Sequence, residues 1–329
     1  MLYYLYDWLA ESNIPGIGMF QYISFRSAAA VILALFITTA FGKKMIRILQ
    51  RKQIGEEVRD LGLEGQVQKK GTPTMGGLII LFAIIVPTLL FARLDNIYIL
   101  LMLITTAFLG LIGFIDDYIK VFLKNKKGLA GKFKILGQVC LGLFVAATLF
   151  LSDDVMVREN VQTASGNDLR AIVVDPVTGQ QKLEYVTKDV KSTKTTIPFI
   201  KKNEFDYAWL VAFACDAASW LKWVVYALAI ILIITAVSNA VNLTDGLDGL
   251  ATGTSAISGA TLGVLAYVSG NVIYADYLNI MYIPHVGELT IFVAAFIGAT
   301  VGFLWYNSFP AQVFMGDTGS LAIGGIIAV

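Results

Sequence analysis

Seven long apolar stretches dominate this sequence, and each is long enough to cross a lipid bilayer as a helix. A transmembrane helix needs about 20 mostly apolar residues. We predict spans at Tyr22–Gly42, Thr74–Ala92, Ile97–Ile115, Phe133–Leu151, Leu221–Asn239, Leu250–Ser269 and Leu289–Tyr306. An eighth span begins near Gly319 and runs to Val329, the last residue of the sequence.

Composition supports this fold class. The chain is 57% hydrophobic and 15% charged, whereas soluble domains carry about 25% charged residues. We therefore predict an all-α polytopic membrane protein, one transmembrane domain over residues 1–329 with about eight spans. A helix from Gly319 to Val329 would be only about 16 Å long, against a bilayer core of about 30 Å, so we expect the natural protein to continue past Val329.

The orientation follows from lysine and arginine in the short connections. The loop Lys43–Gly71 contains eight basic residues and Asp116–Lys132 contains five, whereas Arg93–Asn96 contains one. Short loops rich in Lys and Arg stay in the cytoplasm. The N-terminus is therefore expected outside, and the first, third, fifth and seventh spans end at the cytoplasmic face.

Residues 152–220 form a long insertion that this topology places outside. Within it, Leu169–Val174 and Lys182–Val186 flank the turn-like stretch Asp175–Gly179, which predicts a small β-hairpin. The apolar stretch Tyr207–Cys215 is compatible with two structures, an interfacial helix or an extension of the fifth span. The insertion is expected to lie opposite the polar motifs described next.

Three polar motifs follow odd-numbered spans, so the topology brings them to one cytoplasmic face. They are FIDDYIK, with Asp116, Asp117 and Lys120; NLTDGLDGLA; and FMGDTGS, with Asp317. Charged groups beside membrane spans are costly and usually functional. Carboxylates and lysines facing one aqueous compartment indicate Mg²⁺ and phosphate chemistry at a membrane surface.

The first motif also has a purely structural interpretation. Asp116 and Asp117 lie four and three residues before Lys120, so all three share one helix face. They are compatible with acidic residues at a helix end that pair with lysines in a solvated loop. The functional alternative makes one carboxylate a base or anchor and gives Lys120 a phosphate.

The second motif is more specific. Asn242, Asp245 and Asp248 recur at intervals of three, so they can share one side of a helical turn. Capping of the sixth span is the structural alternative, but a cap does not require two carboxylates and an asparagine. The spacing does not match a calcium-binding EF-hand loop.

Two flanking stretches add candidate substrate contacts. Lys70 and Thr74 lie where the second span leaves the cytoplasm, although such a stretch is also typical of a plain basic flank. Asn307 and Phe314 precede Asp317, and Phe314 offers a boundary where an aromatic base or a lipid chain can rest. Asp317 itself has an alternative role as the cap of the eighth span.

The stretches KKGTPTMGG, GFIDDYIK, NAVNLTDGLDGLA and NSFPAQVFMGDTGSLA closely resemble the MraY family of phospho-N-acetylmuramoyl-pentapeptide transferases. The resemblance covers almost the whole chain outside residues 152–220. It implies a Mg²⁺-dependent transfer of phospho-MurNAc-pentapeptide from UDP-MurNAc-pentapeptide to undecaprenyl phosphate, which gives lipid I and UMP. It also implies ten spans, a homodimer in the bacterial inner membrane, and an active site that faces the cytoplasm.

The resemblance also implies roles for individual residues. Asp317 would be the Mg²⁺ ligand, and it would form the catalytic group with Asp116 and Asp117. The implied substrate contacts are Lys70, Thr74, Lys120, Lys132, Asn242, Asp245, Asp248, Asn307 and Phe314. The sequence is compatible with direct attack by the lipid phosphate and with a covalent aspartyl intermediate.

Two departures from the family pattern stand out. The family's last two spans and its cytoplasmic histidine-rich loop are not in this sequence, and residues 152–220 are longer than the family leads us to expect. A related transferase for a simpler sugar phosphate is the main alternative. An ion-coupled transporter is disfavoured, because transporter sites lie near the bilayer midplane and often between repeated halves. No nucleic-acid partner is predicted.

Overall fold

The computed structural model describes residues 1–9, 16–52, 71–125, 127–161, 163, 169–174, 181–197, 204–214 and 220–329. Within these ranges the chain forms ten α-helices and six short strands. The helices are α1 (Leu2–Leu9), α2 (Ile23–Arg51), α3 (Gly77–Phe91), α4 (Ile97–Val121), α5 (Gly131–Leu151), α6 (Leu221–Thr244), α7 (Leu250–Ser269), α8 (Val272–Leu278), α9 (Leu289–Asn307) and α10 (Gly316–Ala328). The strands are β1 (Val157–Asn160), β2 (Arg170–Val174), β3 (Gln181–Tyr185), β4 (Thr187–Val190), β5 (Lys194–Thr196) and β6 (Glu204–Asp206).

The mostly helical architecture with several candidate membrane spans is confirmed. Among the described residues, five helices are long and apolar enough to cross a membrane: α2, α4, α5, α6 and the segment Val286–Asn307 that contains α9. The pair α7 and α8, bent by 106°, makes a sixth if it is counted as one span. Because α3 and α10 have only 15 and 13 residues, length and composition support five or six spans, and the number eight stays a prediction.

Two helices extend further than the apolar pattern predicts. α2 continues to Arg51 instead of ending at Gly42, and α4 continues to Val121 instead of Ile115. Lysine and arginine are good helix formers, so the helix outlasts the apolar stretch. Asp116 and Asp117 therefore lie on the last turns of α4, as residues at a helix end, and both are buried.

Close helix packing brings the start of α10 against α3 and α4. A Cβ atom at Gly77 would lie 2.2 Å from the Gly319 nitrogen, and one at Gly113 would lie 2.1 Å from the Asp317 carbonyl oxygen. Small residues allow such close approach between membrane helices. The first turn of α10, with Asp317, is therefore fixed beside the end of α4.

A buried ion pair holds the opposite end of the helix bundle together. The Arg26 guanidinium donates to both carboxylate oxygens of Glu288, at 2.6 and 2.9 Å, and to the Phe91 carbonyl oxygen at 3.1 Å. Glu288 also accepts a hydrogen bond from the Arg93 backbone N–H at 3.3 Å. The pair joins the first turn of α2 to the end of α3 and the start of α9, and a buried pair of this kind is costly to break from one side.

The described part of the insertion forms three two-stranded antiparallel sheets, β1–β4, β2–β3 and β5–β6. The predicted hairpin is confirmed as β2–β3, in which Arg170 pairs with Tyr185 and Val174 pairs with Gln181. The residues between these two strands lie outside the described ranges. The Arg158 backbone N–H donates to the Tyr282 carbonyl oxygen at 3.0 Å, so β1 is tied to the connection between α8 and α9.

The orientation in the membrane gives the first testable prediction. Lys127 lies in the exposed turn after α4, and Tyr185 lies exposed on β3. In a variant with Cys140 and Cys215 replaced by serine, a cysteine introduced for Lys127 should react with a membrane-impermeant maleimide only from the cytoplasmic side. A cysteine introduced for Tyr185 should react only from outside. Labelling of both from one side would contradict the predicted topology.

Candidate active site

Asp117 holds the first turn of α10 by accepting its hydrogen bonds. Asp117 Oδ1 accepts from the Asp317 backbone N–H at 3.1 Å, and Oδ2 accepts from the Thr318 backbone N–H at 2.9 Å and from the Thr318 hydroxyl at 2.6 Å. The first N–H groups of a helix have no partner inside the helix, and a carboxylate there is also stabilised by the helix dipole. Asp117 is only 3% exposed, and it fixes the backbone that carries Asp317.

Asp116 is fully buried and is surrounded by donors. Its Oδ2 lies 2.6 Å from Lys120 Nζ, and its Oδ1 lies 3.0 Å from Lys134 Nζ. Oδ1 also accepts a hydrogen bond from the Leu129 backbone N–H at 2.7 Å. This last contact folds the turn between α4 and α5 back over the end of α4. The turn passes through Gly128 with a φ of 62°, a left-handed conformation that favours glycine.

The same two lysines also contact Asp317. Lys120 Nζ lies 3.3 Å from Asp317 Oδ2, and Lys134 Nζ donates to the same oxygen. Lys120 and Lys134 are partly exposed, at 36% and 17% of their side chains, and Asp317 is 15% exposed. The ammonium groups therefore bridge α4 to α10 and remain within reach of solvent.

The three carboxylates together form a group suited to a cation. One oxygen from each of Asp116, Asp117 and Asp317 can be chosen so that all three lie within 4.8 Å of one another. Mg²⁺ prefers oxygen ligands and is usually held by one or two carboxylates, with water and substrate phosphates as further ligands. The donor set fits such an ion, and Asp317, the most exposed of the three, is the one best placed to hold it.

Asn242 orients Asp317 from α6. Its Nδ2 atom donates to Asp317 Oδ1 at 3.0 Å and to the Ser320 hydroxyl oxygen at 2.8 Å. One turn earlier, Asn239 Nδ2 donates to Gln138 Oε1 at 2.9 Å, so α6 is also tied to α5. The expected helix face of Asn242, Asp245 and Asp248 is not formed, because α6 ends at Thr244.

A second polar group lies beside this cluster, around the chain that leads into α10. Asn307 is 2% exposed; its Oδ1 accepts from the Gly249 N–H at 3.1 Å and from the Thr252 hydroxyl at 2.9 Å. Asp248 Oδ2 accepts from the Ala311 N–H at 3.1 Å. Asn307 and Asp248 therefore join the start of α7 to the loop before α10. Asp245 is the C-terminal cap residue of α6.

The start of α3 forms the remaining wall. The Phe314 backbone N–H donates to the Pro73 carbonyl oxygen at 2.8 Å, and the Phe314 carbonyl oxygen accepts from the Gly76 N–H at 2.9 Å. Thr74 is buried on this stretch, next to Gly316. Lys70 lies outside the described residues.

The lysine of α5 that reaches the carboxylates is not the one predicted from the sequence. Lys132, the residue singled out from the sequence, is exposed, and its Nζ lies 5.3 Å from the centre of the Phe133 ring. Lys134, which the sequence analysis did not select, contacts Asp116 and Asp317 instead. Two residues along a helix correspond to about 200° of rotation, so only one of these lysines can face the cluster.

The packing of Gly113 gives a second prediction. In Gly113→Ala, the new methyl group would lie 2.1 Å from the backbone oxygen of Asp317, and overpacking of this kind costs about 1–3 kcal/mol. We expect a lower melting temperature and a clear loss of activity, because α10 must move away from α4. Gly110→Ala is the matched control one turn earlier, where the atoms nearest to the methyl group belong to the flexible Leu81 side chain. Equal behaviour of the two variants would contradict this account.

The sequence is similar to those of known proteins over its whole length. A family model described as Glycosyl transferase family 4 matches residues 99–329, and a model described as Phospho-N-acetylmuramoyl-pentapeptide-transferase signature 1 matches residues 69–81. A protein named phospho-N-acetylmuramoyl-pentapeptide-transferase from Parabacteroides distasonis is 59% identical over 329 residues, with 100% of this chain and 76% of the relative covered. Proteins of the same name from Flavobacterium psychrophilum and Bacteroides fragilis are 57% and 56% identical, with 100% of this chain and 79% and 76% of those relatives covered.

Proposed function

The chain belongs to the phospho-N-acetylmuramoyl-pentapeptide transferase family, and on that premise we propose that Asp116, Asp117 and Asp317 form its Mg²⁺-dependent catalytic centre. As a member of that family the protein is a transferase of peptidoglycan synthesis that acts on UDP-MurNAc-pentapeptide. The observation that carries the proposal is the approach of three carboxylates to within 4.8 Å of one another. Two lysines bridge two of them, Asp116 and Asp317.

The acceptor in this proposal is undecaprenyl phosphate, and the products are lipid I and UMP. The charge of the site supports a reaction between two anionic phosphates. A bound Mg²⁺ would be held chiefly by Asp317 and would supply charge neutralisation at the diphosphate and the departing UMP. Lys120 and Lys134, with their ammonium groups already beside Asp317, bind and orient the phosphates and reduce the repulsion between them.

Asp116 acts in this proposal as an anchor for the two lysines. Its oxygens contact Lys120, Lys134 and the Leu129 N–H, and the residue is 0% exposed. An attacking nucleophile would have to give up these charge-assisted contacts, which are stronger than neutral hydrogen bonds. The contacts therefore favour direct attack by the lipid phosphate over a covalent intermediate on Asp116.

Asp117 and Asn242 are positioning residues in this account. Asp117 accepts from the first N–H groups of α10, and Asn242 donates to Asp317 Oδ1, so both fix the direction of the Asp317 carboxylate. We assign uridine contacts to Asn242, Asp245 and Phe314, and further substrate contacts to Lys70, Thr74, Asp248 and Asn307. For Asn307 and Asp248 these contacts come in addition to their hydrogen bonds between loops. Lys132 has no assigned contact, because its charge lies beside the Phe133 ring.

The setting of the site completes the proposal. The protein is a multi-pass membrane protein, and we assign it to the bacterial inner membrane, as a homodimer with the carboxylate cluster at the cytoplasmic face. Basic residues in the connections after α2 and α4 support this orientation. A site at the ends of membrane helices serves one soluble and one membrane-bound substrate.

Metal binding tests the catalytic centre independently of turnover. Mn²⁺ replaces Mg²⁺ at oxygen-rich sites, and electron paramagnetic resonance measures the concentration of free Mn²⁺ and thus the amount bound. We expect the purified protein to bind Mn²⁺ in competition with Mg²⁺, and Asp317→Asn to bind it more weakly by tenfold or more, on the scale of about 10–100-fold for lost support at a metal site. Asp276→Asn, an exposed carboxylate on α8, is the control. Equal Mn²⁺ affinity in all three proteins would contradict the assignment of Asp317.

A further inference from the structure

The apolar stretch Tyr207–Ala214 has no part in the proposed chemistry, and its position is informative. It forms a short 3₁₀ segment with the sequence YAWLVAFA, which carries no charged residue. Eight residues of 3₁₀ helix extend about 16 Å, which is half of the bilayer core of about 30 Å. The segment is therefore too short to cross the membrane.

The segment is not a continuation of α6 either. The ring of Tyr207 lies 5.3 Å from the ring of Tyr226 on α6. In one continuous helix these two residues would be about 28 Å apart at 1.5 Å per residue. The segment therefore folds back along the outer end of α6, and this geometry decides between the two structures that the sequence left open.

The depth of the segment follows from the same ring contact. Tyr226 follows the first residue of α6, Leu221, by five positions. This separation corresponds to about 8 Å along the helix axis. The Tyr226 ring also contacts Trp223, whose own ring packs on Phe150 at the end of α5. Tyr and Trp are enriched where membrane helices meet water, so this row of rings marks the membrane boundary.

Hydrogen bonds and ring contacts hold the segment at that level. Asp206 Oδ1 accepts from the Ala208 N–H at 2.8 Å and from the Thr193 hydroxyl at 3.2 Å, and the Phe205 ring contacts both Tyr207 and Trp209. Lys191, just before β5, donates from Nζ to the carbonyl oxygens of Phe150 and Leu151. The sheet β5–β6 thus attaches the segment to the last turn of α5.

Two large apolar side chains of the fixed segment face away from the protein. Trp209 is 59% exposed and Leu210 is 53% exposed. Trp220, at the start of α6, is 64% exposed. We propose that Tyr207–Ala214 is an interfacial anchor that inserts Trp209 and Leu210 into the outer leaflet of the membrane, so that the insertion rests on lipid and does not stand free in water.

This occupant follows from charge and depth together. Segments that lie in the interface bury their apolar side about 5–10 Å below the headgroups, and the Tyr207–Tyr226 ring contact holds this segment at the level of the aromatic rings that mark the membrane boundary. The eight residues of the segment carry no charge that could pair with a charged partner. Lipid chains, in contrast, require only apolar surface.

Spin labelling tests the anchor directly. With Cys140 and Cys215 replaced by serine, Leu210→Cys is labelled with a nitroxide in the whole protein in phosphatidylethanolamine–phosphatidylglycerol nanodiscs. The ratio of collision rates with oxygen and with a water-soluble nickel chelate reports lipid or water at the label. Leu262→Cys, on the apolar helix α7 of a candidate membrane span, and Tyr185→Cys, on β3, are the lipid and water controls; both native residues are exposed.

We expect the ratio at position 210 to match that at position 262. A ratio that matches position 185 would overturn the proposal. So would spin–spin broadening that disappears on dilution with unlabelled protein, because a second copy of the chain would then cover the segment. Trp209→Cys is the second variant if Leu210→Cys does not fold, and the same three outcomes decide it.

Discussion

Asp317→Asn is expected to lower the rate of phospho-MurNAc-pentapeptide transfer by about a hundredfold or more, the scale set by loss of one preorganised charge contact in an active site. Asparagine has the size of aspartate and keeps an oxygen that can accept from Asn242. The first turn of α10 keeps Asp117 as its partner. What changes is charge: three carboxylates and two lysines give the cluster a net charge of −1, and the substitution makes it neutral. A neutral cluster holds a divalent cation poorly, and we expect the Mg²⁺ requirement to rise together with the loss of rate.

The measurement is initial rate against Mg²⁺ concentration in detergent, with Asp276→Asn as the control. The melting temperature of Asp317→Asn should stay close to that of the unmodified protein, because Asp117 still accepts from the backbone of α10. Near-normal turnover in a folded Asp317→Asn variant would remove this residue from the mechanism.

Lys134→Met should have a comparable effect, a loss of about 10²–10³-fold in kcat. Its ammonium group contacts the carboxylates of both Asp116 and Asp317, so its removal leaves a buried carboxylate with one partner fewer and removes one cation from the phosphates. Methionine keeps the length of the side chain and the packing of its stem. The loss should therefore appear in kcat and in the KM for both substrates more than in stability.

Lys132→Met is the matched control, two residues away on the same helix and exposed to solvent. It should retain most of the activity, because its charge lies beside the Phe133 ring and not beside the carboxylates. If Lys132→Met loses as much activity as Lys134→Met, the contacts of Lys134 do not explain its role. If Lys134→Met is fully active, the proposed phosphate contacts are wrong.

Much of the architecture was predictable from the sequence, because membrane spans obey a strong constraint. Every backbone polar group in lipid must be paired within the protein, so long apolar stretches predict helices, and the alternation of spans predicts which ends share a face. That reasoning led to Asp116, Asp117 and Asp317 as neighbours, which they are in the structure. The β2–β3 hairpin could also be predicted, because two strand-like stretches flank a turn-like stretch in the sequence.

The details that depend on helix phase and on contacts between distant segments were not predictable in this way. Nothing in the local sequence distinguishes Lys134 from Lys132 until the first residue of α5 and the fold of the preceding turn are known. The contact of Asp117 with Asp317 at the start of α10 joins residues 200 positions apart in the sequence. The pairing of Arg26 with Glu288 spans 262 positions. In each case a local pattern had suggested another role, or none.

The central claim is that this chain transfers phospho-MurNAc-pentapeptide to a lipid phosphate at a Mg²⁺-dependent aspartate–lysine site. Release of UMP from UDP-MurNAc-pentapeptide by the purified protein tests it most directly. We predict UMP only when undecaprenyl phosphate and Mg²⁺ are both present, with loss of the signal on addition of EDTA and recovery with excess Mg²⁺. UMP release that persists without the lipid phosphate or in EDTA, or that occurs only with a simpler UDP-sugar as donor, would contradict the claim.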